Sequence, residues 1–137
     1  FASIHQDPRT CYPGTGFASE IGKGAGRGYT LNIPVPPFSG DEEYLQIFDQ
    51  FILPKFIEYQ PDFILLSAGF DAHRDDPLAN QNLSVAAFDH MLIAIKKLAS
   101  QFAQRRIVSI LEGGYDYEAL RDCVESHLEI LLDDSKM

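Results

Sequence analysis

Asp62-Phe63-Ile64-Leu65-Leu66-Ser67-Ala68-Gly69-Phe70 is a run of strand length, apolar except at its first residue and Ser67, and it is followed at once by Asp71. Without polar alternation, a strand here reads as covered on both faces, the mark of a parallel sheet. Arg106-Ile107-Val108-Ser109-Ile110-Leu111 repeats the pattern downstream. Between the two, Ser84 is placed to cap a helix running to about Gln104, with Phe88, Leu92, Ile95, Ala99 and Phe102 as its apolar stripe. After the second run, Asp116 can cap a last helix whose apolar face includes Leu120, Val124, His127 or Leu128, and Leu131.

Upstream, Asp41 to Tyr59 reads as an amphipathic helix with Tyr44, Phe48, Ile52 and Phe56 on one face. Its first turn, Asp41-Glu42-Glu43, suits the positive end of a helix dipole, and Pro54 should kink it or split it in two. Tyr29 to Val35 alternates like a strand and is closed by Pro36-Pro37, and Phe1 to His5 reads like the end of a buried strand. Strands separated by helices predict a three-layer α/β/α architecture with a parallel, doubly wound sheet. Ligands collect at the carboxyl ends of such strands, so the places to search follow Ile4, Phe70 and Leu111.

The chain of 137 residues is one domain's worth, and its 45% hydrophobic and 23% charged content is that of a globular protein. A net charge of −9 argues against nucleic acid or an anionic membrane as partner, because phosphate contacts need clustered Lys and Arg. The adjacent basic pairs, Lys96-Lys97 and Arg105-Arg106, read as solvated helix faces or ends. No apolar run approaches the ~20 residues of a membrane helix. Cys11 and Cys123 lack zinc-finger spacing and read as reduced thiols of an intracellular protein. The abrupt start at Phe1 suggests a piece of something longer.

Residues 6–28 are dense in Gly, Pro and polar residues and form a long loop. A nucleotide reading of its glycines fails. Gly14-x-Gly16 is followed at the sixth position by Ser19, and Gly22-Lys23 by Gly24 where a phosphate loop needs Ser or Thr. Asp71 is open to two readings, a carboxylate facing a ligand crevice or a turn and capping residue. Glu112-Gly113-Gly114-Tyr115 is also open to two. The glycines can let a ligand approach with the Tyr115 hydroxyl at the rim, or they can make a tight turn with a packed Tyr.

Together these segments resemble the histone deacetylase family, nearer its class II and bacterial branch, which implies a cytoplasmic rather than a nuclear protein. The matching pieces are Ser3-Ile4-His5, Tyr12-Pro13-Gly14-Thr15-Gly16, residues 24–34 (GAGRGYTLNIP), residues 67–71 (SAGFD), Asp76-Pro77-Leu78 and residues 111–115 (LEGGY), in family order. The resemblance implies the C-terminal portion of an arginase/deacetylase-like domain filling residues 1–137, with the N-terminal part absent. It implies a zinc-dependent hydrolase of acetyl or acyl groups on lysine or a related amine. Zinc would acidify water and polarise the amide.

By the same resemblance Asp71 is one zinc ligand, and Tyr115 is the catalytic hydroxyl that hydrogen-bonds the substrate carbonyl. Tyr12 and Leu78 wall the acyl tunnel, Gly113 and Gly114 form its narrow end, and Ser3, Ile4 and Tyr29 hold potassium. His5 and His73 inherit no catalytic role. The family's other zinc ligands and its tandem histidines have no counterpart here, and a catalytic zinc wants three protein ligands. The expectation is therefore a chain inactive by itself, with the missing half possibly a separate chain. The alternative is a truncated, non-catalytic binding or scaffold domain of the same fold.

Overall fold

The apolar runs become strands, with ends shifted by a residue or two from those expected. The computed structural model describes residues 1–133, so the last four residues of the expected domain lie outside the described residues. Strand β1 is Ala2–Gln6, β2 Leu31–Val35, β3 Ile64–Ala68 and β4 Ile107–Leu111. β1 pairs in parallel with β2, Ala2 opposite Leu31, and β3 pairs in parallel with β4, Ile64 opposite Ile107. The long loop between β1 and β2 contains a single 3₁₀ turn, Gly24–Gly26.

The expected helix over 41–59 forms as α1 (Asp41–Ile47), a π-helical turn (Phe48–Ile52) and α2 (Leu53–Tyr59). Pro54 sets this interruption. It has no N–H to donate, and its ring crowds the carbonyl one turn back, so the backbone widens there and the Leu53 N–H reaches the Phe48 carbonyl. Helices α3 (Val85–Phe102) and α4 (Tyr117–Leu132) follow as expected. Asp116 caps α4, accepting the Ala119 N–H at 2.8 Å.

Two local expectations are corrected. Ser84 stands at the N-terminus of α3, but its hydroxyl does not cap it. Asp41 takes both of its donors instead, the Ser84 N–H at 2.8 Å and the hydroxyl at 2.6 Å, so one carboxylate ties the start of α1 to the start of α3. Lys96 is not a solvated residue. It is 6% exposed, and its ammonium donates to the Ile130 carbonyl and, at 2.9 Å, to the Asp133 carbonyl. A cation on α3 thus satisfies the orphan carbonyls at the end of α4, where the helix dipole favours positive charge.

Helix α3 touches α1, α2 and α4, and together they cover one face of the strands. Ile64 packs with Leu98, Ala99 and Ala103, Ala68 and Phe70 with Cys123, and Val35 with Tyr44, Leu83 and Ala87. The opposite face of β3 and β4 exposes Leu65, Val108 and Ile110. The parallel α/β architecture is present, with its sheet layer in two pairs among the described residues. Between the pairs runs a groove of about 1800 Å³, bordered by residues of β1 and β3 and floored by Tyr44, Phe48, Leu92 and Ile95.

Removing the buried cation tests the α3–α4 tie. Lys96→Met should cost about 1–3 kcal/mol in urea denaturation, because the buried Ile130 carbonyl and the part-buried Asp133 carbonyl lose a charged donor. Lys97→Met, at an exposed position, should stay within about 0.5 kcal/mol of the parent.

Candidate functional site

The pairing of β3 with β4 continues past both strands. The Glu112 N–H donates to the Ala68 carbonyl at 3.0 Å and the Phe70 N–H to the Gly113 carbonyl at 2.8 Å. The Ser67 hydroxyl donates to Glu112 Oε1 at 3.0 Å. This carries the two strand ends forward side by side and sets Asp71 against Gly113. A β carbon built on Gly113 would lie 2.7 Å from Asp71 Cγ and 2.8 and 2.9 Å from its two carboxylate oxygens. One built on Gly69 would lie 3.0 Å from Asp71 Oδ1. The carboxylate occupies space that only glycine leaves free.

Asp71 lies in a turn and not at a helix start, so it caps nothing. Burial raises its pKa, its own backbone N–H opposes that shift, and the charge of Asp76 adds to it. The carboxylate also bears on Tyr44, whose hydroxyl pKa is pushed far up by burial first and then by the charges of Asp71 and Cys11. Cys11, Tyr44, Asp71, Gly113 and Tyr115 all border the groove between the strand pairs.

Tyr115 follows Gly114, whose φ of +132° is open to glycine and costly to other residues. A β carbon on Gly114 would also meet Leu120 Cδ1 at 3.0 Å and Phe70 Cβ at 3.2 Å. Tyr115 is 53% exposed, so its ring is not packed in the core. Its N–H donates to Asp76 Oδ2 at 2.8 Å. The other oxygen of Asp76 accepts the Leu78 N–H at 2.9 Å and the Ala79 N–H at 3.2 Å. These bonds tie Leu78, itself exposed, to the same cluster as Tyr115.

The remaining expected residues lie on β1, β2 and the long loop. Tyr12 is almost fully exposed. The Ser3 hydroxyl pairs with His5 Nδ1 at 2.8 Å, and His5 Nε2 meets the Gly16 carbonyl at 2.8 Å. Gly16, with φ +95°, leaves room for the ring, since a β carbon there would fall 2.5 Å from Nε2. His5 therefore clasps the loop to β1, a role that no sequence signal announced. Ile4 packs against the cluster of Val35, Tyr44 and Leu83, and the Tyr29 carbonyl accepts the Phe1 nitrogen at 2.9 Å. Ser3 and Ile4 are adjacent on β1, and the Tyr29 carbonyl stands beside Phe1, just before the strand starts.

As a metal site, the described residues are incomplete. Asp71 offers hard oxygen donors, but no three His, Cys, Asp or Glu side chains among the described residues are grouped to hold an ion. Asp76 was passed over by sequence reasoning. Asp-Pro signals a turn, and nothing in the sequence shows that its second oxygen reaches Tyr115.

Comparison with known proteins fits this arrangement. The histone deacetylase domain model matches residues 1–131. Histone deacetylase 14, chloroplastic, of Arabidopsis thaliana is 44% identical over 137 residues, covering all of this chain and 32% of the relative. The crystal structure of the HDA15 HD domain superposes with a TM-score of 0.89 at 32% identity, over 99% of this chain and 38% of that one. The acetylpolyamine aminohydrolase from Burkholderia pseudomallei gives a TM-score of 0.83 at 33% identity, over 95% of this chain and 36% of that one. The chain spans about a third of the length of these proteins. No helix among the described residues is long and apolar enough to cross a membrane. With its strand pairing, its glycine-seated Asp71 and nearly its whole length matched by one domain, this chain belongs to the histone deacetylase family.

Proposed function

We propose that the protein carrying this chain hydrolyses acyl amides of lysine or a related amine, and that residues 1–137 supply the C-terminal part of its single catalytic domain. One observation carries the reading: the β3–β4 register seats the Asp71 carboxylate on Gly113, two residues before the exposed Tyr115. In this reading Asp71 contributes one oxygen ligand to a zinc ion whose other ligands come from the rest of a family-length protein, on the same polypeptide or a separate chain. Zinc, when held, polarises the amide and acidifies water. The Tyr115 hydroxyl donates to the carbonyl oxygen as negative charge develops there. Tyr12 and Leu78 border the acyl chain, and Gly113 and Gly114 leave its inner end narrow.

The single carboxylate supports a further part of the proposal, that the isolated chain does not hydrolyse amides. Lysine and polyamine carriers both fall within the proposed substrate class, the second supported by the likeness to an acetylpolyamine aminohydrolase. Ser3 and the Ile4 and Tyr29 carbonyls offer oxygen donors suited to potassium, in keeping with the family resemblance. The intracellular placement likewise rests on two free cysteines.

Tyr115→Phe tests the mechanism in a family-length protein containing this chain. Turnover should fall roughly 10²–10³-fold while melting temperature, zinc content and the Michaelis constant change little. A destabilised variant with near-normal turnover per folded molecule would remove Tyr115 from the chemistry.

Asp71 gives a test that needs no activity. Its pKa is raised in the folded chain, so the ionised carboxylate costs stability at neutral pH. That cost disappears below about pH 4, where folded and unfolded chains both hold the proton. With metal chelated, Asp71→Asn should therefore raise the melting temperature at pH 7, with a gain that shrinks as pH falls toward 4. With zinc supplied to the family-length protein, the same substitution should lower bound zinc. A lower melting temperature for the Asn variant in chelator would show that the chain itself satisfies this carboxylate.

A further inference from the structure

Asp76 has no part in the chemistry described so far, yet its carboxylate links the pieces that do. It is 9% exposed. Its Oδ1 serves a local turn around Pro77, accepting the Leu78 and Ala79 N–H groups, as Asp residues commonly do. Its Oδ2 does something a local turn does not need, accepting the Tyr115 N–H at 2.8 Å across 39 residues of sequence. Tyr115 sits at a joint, with Gly114 at φ +132° before it and α4 starting at Tyr117 after it. A glycine with that freedom leaves the direction of the phenol loosely set unless the next N–H is held. Asp76 is itself anchored on the turn that carries Asp71, since the Asp76 N–H donates to the His73 carbonyl and the His73 N–H to the Phe70 carbonyl, each at 3.0 Å.

We infer that Asp76 is a positioning residue, one rigid carboxylate that fixes the Tyr115 hydroxyl relative to the Asp71 turn and the Leu78 wall. The inference rests on the proposed role of Tyr115. Asp76 touches no reacting atom, and its effect on turnover passes through Tyr115. A small misplacement of a catalytic donor is costly, about 10²-fold for an ångström.

The experiment is a double-mutant cycle in the zinc-loaded, family-length protein, assayed on an acetyl-lysine peptide and normalised to folded, zinc-containing molecules. Asp76→Asn keeps the shape and one carbonyl oxygen for the two local donors, but turns an amide NH₂ toward the Tyr115 N–H. Turnover should fall at least about tenfold, with the Michaelis constant within about threefold and zinc content unchanged. Added to Tyr115→Phe, Asp76→Asn should cost less than about a further threefold, because the hydroxyl it positions is already gone. Losses that multiply in the double variant, unchanged turnover in Asp76→Asn, or turnover that falls only with zinc content would each overturn the inference. If Asp76→Asn does not fold, Asp76→Ser keeps a local turn acceptor too short to reach Tyr115 and runs the same cycle. Normal turnover in Tyr115→Phe alone would instead remove the deacetylase role of Tyr115, which separates failure of that reading from failure of this one.

Discussion

The parallel register of β3 on β4 is the constraint on which the site depends. With Ala68 opposite Leu111, both strands end level, and two more backbone hydrogen bonds carry the level pairing through Phe70 and Gly113. Residues far apart in sequence, 71 and 113 to 115, therefore emerge beside each other from one sheet edge. A one-residue slip would turn each side chain to the opposite face of the sheet. It would also bring a side chain or a different backbone atom against the Asp71 carboxylate where Gly113 now leaves room. The ladder itself is ordinary backbone chemistry, and the glycines are what let it converge on a carboxylate.

Much of this was legible in the sequence, and the parts that were not share a cause. Strands, helices and the Asp116 cap follow from apolar periodicity and local capping signals, all of which act over a few residues. Asp71 and Tyr115 were visible as candidates because they follow apolar runs ending in small residues, at the strand ends where parallel sheets gather ligands. What escaped reading was every polar side chain whose partner is distant in sequence. Ser84 is placed to cap its helix, but Asp41 offers its hydroxyl a charged acceptor and takes it. His5 looks like an isolated histidine until the loop folds back and presents the Gly16 carbonyl. Asp76 looks like half of an Asp-Pro turn.

The site carries an energetic tension that follows from its composition. Asp71 and Asp76 lie close enough for the charge of one to raise the pKa of the other, while burial withholds water from both. Asp76 offsets its own burial with three backbone donors. Asp71, the carboxylate proposed to take a cation, is the less satisfied of the two. Two carboxylates a few residues apart thus divide their tasks by environment, one holding the backbone in place and the other left with charge to spare.

The Lys96 ammonium gives the last helix an unusual kind of punctuation. Most helices are told where to stop by residues at their own ends, so an end can be shifted or shortened with modest local consequence. Here the stop signal sits on α3 and reaches the Ile130 and Asp133 carbonyls. Trimming α4 by a single turn would do more than fray a terminus. It would take the Ile130 and Asp133 carbonyls away from an ammonium held between α3 and α4. The final turn of this helix is, in effect, the counter-pole of a buried cation, and its length is an electrostatic requirement of the core.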